Sequence, residues 1–231
     1  MKSRWLHKNR SEKVLIFFNG WGMDACPFVP LTAKDLDVLI CFDYTDLDEP
    51  PDLLAAVESY SEVSLISWSM GVWAAQHVFS SMASGFAKSI AVNGTLCPIH
   101  NHHGIPVEIF AATNTRLNEA TRLKFYRRMC RKPEILSYFL THQPERTLNS
   151  QKKELESLLA DADCLPVERS IYTHVIIAAD DLVVPTENQR RFWQQKNTRQ
   201  VDGAHFLFYD WESWDDMLQD LGKRGADENK G

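Results

Sequence analysis

Several features that mark other protein classes are missing from this chain of 231 residues. No apolar run approaches the about 18 residues that a membrane-spanning helix needs, which predicts a soluble protein. Residues 1–13 are polar and lack the apolar stretch of a secretory signal, so we expect a cytoplasmic protein. Acidic residues outnumber basic ones by 31 to 25. The net charge of −6 and the pI near 5.7 argue against a general nucleic-acid binder.

Cysteine is sparse as well, and no C-x-x-C pair occurs. Because the five cysteines are scattered and odd in number, we interpret all of them as reduced cytosolic thiols. They are Cys26, Cys41, Cys97, Cys130 and Cys164. The histidines at 100, 102 and 103 could suggest a metal, but no acidic or cysteine partners match them in the sequence. We interpret this cluster as a solvent-exposed loop and predict neither a metal nor an organic cofactor.

Short apolar runs, rich in β-branched and aromatic residues, recur along the chain and predict its fold class. Their length and their lack of polar alternation are typical of strands buried on both faces of a largely parallel sheet. They lie at residues 14–19, 38–43, 63–68, 89–92, 174–179 and 199–201. The segment between the first and second runs, residues 20–37, carries little helical pattern. The segment between the second and third runs, residues 44–62, predicts one short helix at best. The later part of residues 206–221 predicts a closing helix, followed by a polar tail at 222–231.

Between residues 97 and 168 the strand-like runs disappear and helix signals replace them. Pro106 opens a short helix, and Asn118 is a suitable N-cap for a second. Pro133 and Pro144 end two helices, and a fourth is predicted at about 150–162. We therefore predict a core domain of residues 1–96 and 169–231, interrupted by a helical lid of residues 97–168.

A candidate nucleophile lies where an apolar strand meets a helix rich in small residues. Ser69 stands within the sequence S-W-S-M-G, the pattern of a nucleophile elbow, in which a strained turn exposes the serine. Strand and helix pass closely there, and Gly71 and Ser67 are small enough for that approach. Serine and glycine are common, however, so the motif alone is also compatible with a simple tight turn.

Three further segments fit the same site. The turn N-G-W-G after the first apolar run would let the Trp21 amide serve beside that of Met70 as an oxyanion donor. Asp181 follows a late strand within D-x-x-V-P and could orient a histidine, with the neighbouring Asp180 as its rival. His205 follows the last short strand, where a general base belongs. The chain order of serine, aspartate and histidine is that of α/β hydrolases, so we predict this fold and a triad of Ser69, Asp181 and His205.

At these residues the chain resembles the pimeloyl-[acyl-carrier protein] methyl ester esterases of biotin synthesis, of the BioG type. The resemblance rests on three segments: F-F-N-G-W-G-M at 17–23, S-W-S-M-G at 67–71 and L-K-F-Y-R-R-M-C at 123–130. It implies an esterase that releases methanol from pimeloyl-acyl carrier protein methyl ester, with the carrier protein as its partner. The lid segment is the most specific part, because hydrolases in general share the other two.

The lid carries an unusual charge. Residues 116–132 contain seven basic residues and one acid, a local charge of +6 within a chain of −6. Such a strip suits a small acidic partner. A helical reading places Lys124, Arg128 and Arg131 on one face and Ala120, Leu123, Tyr126 and Cys130 on the other. Within the resemblance, the candidates for contact with the carrier are Arg122, Lys124, Arg127, Arg128 and Arg131. A solvated basic helix explains the charge alone equally well.

The acyl pocket is expected between lid and core, lined by Trp21, Trp68, Met70 and Phe125. Two alternatives stay open at this point. One is a general small-ester carboxylesterase or thioesterase with an incidental basic lid. The other is a non-catalytic binding protein with a hydrolase fold, and C–C hydrolases and haloperoxidases share that fold as well. We expect a monomer.

Overall fold

The computed structural model describes residues 1–80 and 85–223 and contains one seven-stranded sheet in this part of the chain. The strand order is β1-β3-β2-β4-β5-β6-β7, with β1 antiparallel to its neighbour and the remaining pairs parallel. The strands are β1 (Lys2–His7), β2 (Lys13–Phe18), β3 (Asp37–Phe42), β4 (Glu62–Trp68), β5 (Lys88–Val92), β6 (His174–Ala178) and β7 (Thr198–Val201).

The central strands are buried because their sequences are continuously apolar. In β2, Val14 to Phe18 have no exposed surface, and β4 places Ser64 to Ser67 alongside it in parallel register. Parallel strands end at the same edge of a sheet, so the segments that follow β2, β4 and β6 meet there. Those segments carry Trp21, Ser69 and Asp181, which prepares one site from three distant parts of the sequence.

Helices connect the strands, and four of them form one consecutive block between β5 and β6. This block is α3 (Val107–Thr115), α4 (Glu119–Cys130), α5 (Pro133–Thr141) and α6 (Leu148–Asp161). The others are α1 (Pro51–Ser59), α2 (Met70–Phe79), α7 (Thr186–Phe192) and α8 (Trp214–Leu221). The predicted N-cap of α4 is confirmed, since the Asn118 side chain accepts a hydrogen bond from the Thr121 amide at 3.0 Å. We call α3 to α6 the lid helices.

The main departure from the predicted elements is β1, since residues 1–13 are polar and no strand is predicted among them. Its first four residues alternate between exposed and half-buried, and the last two are half-buried, because it forms an edge strand against β3. The predicted closing helix is α8, and the single short helix of residues 44–62 is α1. The predicted polar tail lies outside the described residues from 224 onward.

The interpretation of all five cysteines as reduced thiols is wrong for two of them. A disulfide joins Cys97 and Cys164, which lie 67 residues apart, while Cys26, Cys41 and Cys130 are free thiols. Spacing could not reveal this pair, since only the fold brings the two ends of the lid segment together.

Within residues 1–80 and 85–223, no helix has both the length and the apolar character needed to cross a bilayer.

Candidate active site

Ser69 occupies a strained backbone position between β4 and α2. Its φ of 57° and ψ of −123° lie in a region that residues other than glycine rarely adopt. The following helix packs so closely on β2 that a Cβ at Gly71 would lie 2.4 Å from the carbonyl oxygens of Phe18 and Asn19. This close approach requires glycine at 71. The local geometry is therefore that of a nucleophile elbow.

The structure brings Ser69, Asp181 and His205 together in a buried chain of hydrogen bonds. His205 Nε2 lies 3.0 Å from Ser69 Oγ, and His205 Nδ1 lies 2.8 Å from Asp181 Oδ2. All three side chains are at least nine-tenths buried. A histidine held between a carboxylate and a hydroxyl in this way can remove the hydroxyl proton during nucleophilic attack.

Two neighbouring acids follow β6, and their surroundings differ. Asp181 Oδ1 accepts the Val183 and Val184 amides at 2.8 and 3.0 Å, and Oδ2 accepts the Gln189 side-chain amide at 2.9 Å in addition to His205. These donors hold the carboxylate in one orientation. Asp180 instead lies outside the cluster and forms an exposed ion pair with Arg131. The geometry thus supports Asp181 over its rival.

The backbone of His205 is held by two side chains, Trp68, which the sequence predicts only as a pocket residue, and Asn93, which no sequence motif predicts. Asn93, directly after β5, donates from Nδ2 to the His205 carbonyl at 2.9 Å and accepts the Ala178 amide at 2.7 Å. The Trp68 indole donates to the same carbonyl at 2.9 Å. No motif marks Asn93, because its role depends on two loops that meet only in the folded chain.

The predicted oxyanion donors lie beside Ser69. Within the described residues, neither the Trp21 amide nor the Met70 amide donates a hydrogen bond to another protein group. Met70 is the first residue of α2, so its amide also lies at the positive end of the helix dipole. Both amides therefore keep a free donor for an oxygen that becomes negatively charged.

A cavity opens onto Ser69 and His205. All four predicted pocket residues line it, and Trp21 and Phe125 meet edge to face with ring centroids 5.1 Å apart. The other lining residues carry no motif in the sequence, and most of them come from the lid helices and their flanks. These are Gly20, Ile105, Ile109, Phe110, Thr113, Arg128, Leu155 and Val183.

The loop after β2 forms a hydrogen bond with a buried, ion-paired carboxylate of the lid helices. Glu154 of α6 accepts the amides of Gly22 and Tyr44, both at 3.0 Å, and pairs with Arg146 at 2.6 Å. Arg146 also pairs with Asp43 at 2.9 Å. Burial raises the pKa of Glu154, and Arg146 opposes that rise. Since Gly22 follows Trp21, this network positions one of the candidate oxyanion donors.

We expect Arg146→Met to lower the free energy of unfolding by about 3–5 kcal/mol, because it leaves the buried Glu154 carboxylate without its partner. A carboxyl whose pKa is raised in the folded state favours folding when protonated. The loss relative to the parent should therefore shrink as the pH falls from neutral toward the ordinary carboxyl pKa of 4.5. Urea unfolding of both proteins across this pH range measures the difference.

The matched control for that experiment is Arg122→Met, which removes a lid arginine paired with an exposed carboxylate, Glu119. We expect a loss of at most about 1 kcal/mol with little pH dependence. The double variant Arg146→Met/Glu154→Gln should recover part of the stability lost in the single variant. A loss in Arg146→Met that is equal at all pH values, or no larger than in the control, would contradict the assignment.

The five residues predicted to contact the carrier protein differ in their exposure and surroundings. Lys124 and Arg127 are exposed on α4, and Arg122 is half-buried. Arg128 lines the catalytic cavity, and its buried Nε has no hydrogen-bond partner within the described residues. The prediction that Arg131 continues the basic helix face is wrong. The helix ends at Cys130, and Arg131 adopts a φ of 61°.

The predicted apolar stripe of α4 is correct only in part. Tyr126 and Cys130 are buried as predicted. Ala120 is exposed, and Met129, which is not part of the predicted stripe, is buried. Met129 accepts the Phe206 amide through its carbonyl oxygen at 3.1 Å. The end of α4 is thereby connected directly to the loop that carries His205.

Comparison with known families decides the relationship. The family model described as pimeloyl-ACP methyl esterase BioG matches residues 1–217. The chain belongs to the BioG family. This membership confirms the resemblance seen in the three sequence motifs, including the lid segment at 123–130.

Solved structures and sequence relatives agree with membership in the BioG family. A crystal structure of BioG from Haemophilus influenzae matches with a TM-score of 0.85 and 29% identity, over 96% of this chain and 100% of that one. The enol-lactonase from Burkholderia xenovorans matches with a TM-score of 0.64 and 15% identity, over 95% of this chain and 94% of that one. That likeness concerns the fold alone. The predicted α/β-hydrolase fold is confirmed.

A malonyl-[acyl-carrier protein] O-methyltransferase of Bacteroides fragilis is 38% identical over 197 residues, which is 84% of this chain. The chain spans only 40% of the length of that protein. The methyltransferase activity named for the relative therefore belongs to a much longer polypeptide.

Proposed function

We propose that this BioG-family protein hydrolyses the methyl ester of pimeloyl-[acyl-carrier protein] to the free acid and methanol, in biotin synthesis. The observation that carries the proposal is the hydrogen-bonded cluster of Ser69, His205 and Asp181, of which Ser69 and His205 line a mostly apolar cavity. An ester of a long acyl chain suits that cavity, because its walls are mostly apolar and Ser69 and His205 are among its lining residues.

The proposed reaction proceeds through an acyl-enzyme. Ser69 Oγ attacks the ester carbonyl while His205 Nε2 takes the hydroxyl proton, and the Trp21 and Met70 amides stabilise the oxyanion. Collapse of the tetrahedral intermediate expels methanol, which receives the proton from His205. Water then attacks the acyl-serine by the same route and regenerates the enzyme. Asp181 orients the imidazole and stabilises its charged form.

A second cavity, next to the catalytic one, suggests the path along which the carrier-bound end of the substrate extends away from Ser69. It shares Ile109, Thr113, Phe125 and Arg128 with the catalytic cavity. The additional lining residues of this second groove include Arg116 and Lys124. In our proposal the acyl chain lies in the first cavity and its thioester arm runs along the second. The arm's phosphate would then reach arginine and lysine side chains that suit it.

The exposed residues Lys124 and Arg127 test the proposed carrier contact. We expect Lys124→Glu/Arg127→Glu to raise KM for the carrier-bound ester by about tenfold at low ionic strength, because it replaces attraction to an acidic partner with repulsion. Activity toward a small ester such as a p-nitrophenyl acyl ester should stay within about twofold, since neither residue lines the catalytic cavity. Steady-state kinetics with both substrates measure the split.

The matched control is Lys152→Glu/Lys153→Glu, which makes the same change in charge on exposed positions of α6. It should leave KM for both substrates near the parent value. Equal effects of the two double variants on the carrier-bound substrate would mean that net charge alone matters. Equal effects of the α4 variant on both substrates would reject the carrier contact. Arg128 is unsuitable for this test because it lines the cavity.

The substrate is tested by a gel-shift assay with pimeloyl-ACP methyl ester and purified protein, beside Ser69→Ala. Conversion by the parent only would support both the substrate and the nucleophile. No conversion by a protein whose Ser69 still reacts with a fluorophosphonate would retain a serine hydrolase and reject the biotin-related substrate. We further propose that the protein acts as a cytoplasmic monomer, with the lid of residues 97–168 as a distinct functional unit.

A further inference from the structure

A compact cluster of sulfur and imidazole groups lies at the base of the lid, apart from the catalytic residues. The backbone itself brings the two ends of the lid segment together, since the Leu165 amide donates to the Leu96 carbonyl at 2.9 Å. Cys164 and Cys97 are therefore neighbours whether or not their sulfur atoms are bonded. In the structure they form a disulfide, and Cys164 is exposed while Cys97 is buried.

A tight loop places two histidines beside Cys97. The loop is closed by hydrogen bonds from the Ile105 amide to the Pro98 carbonyl at 2.8 Å and from the His100 amide to the Ile105 carbonyl at 2.9 Å. The rings of His100 and His103 stack with centroids 4.7 Å apart.

Two features hold this loop in place. A Cβ at Gly104 would lie 2.2 Å from the Cys97 carbonyl oxygen, so the loop backbone packs directly onto that of Cys97. Asn188 of α7 donates to the Gly104 carbonyl at 2.8 Å and fastens the loop to the core.

The donor atoms of this cluster match a known metal preference. One ligand atom each of Cys97, His100 and His103 lies within 4.8 Å of the other two. Cys164 is not one of these three residues, but its sulfur is bonded to that of Cys97 and so lies next to the group as a second sulfur. Two thiolates and two imidazoles are a common ligand set of tetrahedral structural zinc. In the sequence, no cysteine lies at a matching spacing from these histidines, which argued against a metal. In the folded chain, Cys97 lies beside two of them.

We propose that reduction of the Cys97–Cys164 disulfide creates a zinc site formed by Cys97, His100, His103 and Cys164. A dithiol reductant supplies two electrons and two protons, is oxidised to its own disulfide, and leaves two cysteine thiols. Each thiol loses its proton on binding Zn²⁺, and each imidazole binds in its neutral form. Four protein ligands leave no open position, so the ion has a structural role. This proposal is independent of the proposed esterase function.

The site would link the beginning and the end of the lid segment in a reducing compartment. The disulfide makes that link in the oxidised protein, and the metal would replace it after reduction. We therefore expect Zn²⁺ to raise the melting temperature of the reduced protein by roughly 5 °C, because a ligand that binds only the folded state stabilises it. The oxidised protein should show no such change.

Cobalt titration tests the proposal most directly. Purified protein, stripped of metal and reduced with a phosphine, is titrated anaerobically with Co²⁺ and followed by absorption spectroscopy. We expect one Co²⁺ per chain, with thiolate-to-cobalt charge-transfer bands and the intense visible bands of a tetrahedral site. Zn²⁺ should displace the Co²⁺. Reduced protein that binds no Co²⁺, or binds it without thiolate bands, would overturn the proposal.

Variants assign the ligands. Cys97→Ser, Cys164→Ser, His100→Ala and His103→Ala should each weaken Co²⁺ binding at least about tenfold. His102→Ala, an exposed histidine in the same loop, and Cys26→Ser, a free cysteine elsewhere, should bind as the parent does. His100→Cys keeps a ligand at its position and should restore binding lost in the alanine variant. Circular dichroism verifies that each variant is folded. Parent-like binding by folded Cys97→Ser or Cys164→Ser would also overturn the proposal.

Discussion

Ser69→Ala should lower kcat for the ester by about 10⁶-fold, the largest change expected from any single substitution in this protein. The reason is that the proposed acyl-enzyme requires the Ser69 oxygen, which His205 Nε2 faces at 3.0 Å. The fold should be unaffected, since alanine removes one oxygen from a small side chain. His205→Ala should cost a similar amount, because residues that act as one unit lose their function together.

Ser67→Ala is the matched control for this prediction. Ser67 precedes Ser69 by two residues in the same segment and is completely buried, and alanine keeps its position small. We expect this variant to retain most of the parent activity and to react with a fluorophosphonate, whereas Ser69→Ala should not react. Labelling that survives Ser69→Ala, or turnover within about tenfold of the parent, would contradict the role proposed for Ser69.

Asp181→Asn should lower kcat by about 10⁴-fold with little change in KM. The Asp181 carboxylate accepts from His205 Nδ1 at 2.8 Å and so favours the tautomer whose Nε2 can receive the serine proton. An asparagine can present an N–H to Nδ1, which selects the opposite tautomer. Steady-state kinetics with circular dichroism separate this loss from unfolding.

Asp180→Asn provides the corresponding control one residue away. Asp180 is exposed and pairs with Arg131, so its substitution should change kcat less than about threefold. If Asp180→Asn caused the large loss and Asp181→Asn did not, the two acids would exchange roles. The pair of variants therefore tests the choice between two neighbouring carboxylates that the sequence makes only through the D-x-x-V-P pattern.

Much of this architecture could be predicted from local sequence. The apolar runs that became β2, β4, β5 and β6 are continuous because both faces of these strands are buried. The capping residue Asn118 and the prolines of the lid act on their own turns, so they locate helix ends without tertiary information. Ser69 and Gly71 were also recognisable, because the close passage of strand and helix requires particular residues at particular spacings.

Other features depend on contacts between segments that lie far apart in the chain. The edge strand β1 has a polar sequence and exists because β3 offers it a pairing edge. Arg128 was expected to face a partner protein, yet the packing of α4 directs it into the catalytic cavity. Likewise, no spacing rule connects Glu154 to Gly22, which are 132 residues apart. Each of these required the folded arrangement of the lid on the core.

The amino-acid sequence was enough to predict the positions of the buried strands along the chain, the helical character of the lid segment, and Ser69 and His205 of the candidate triad, with Asp181 preferred as the acid. These are local properties, expressed in hydrophobic pattern, capping and motif spacing. Only the tertiary structure shows that Asp181 accepts from His205 and that Asn93 and Glu154 form hydrogen bonds with loops of the site. It alone also shows that Cys164 lies next to Cys97. The physical reason is that hydrogen bonds, ion pairs and metal ligands act over a few ångströms, and only folding brings such distant residues within that range.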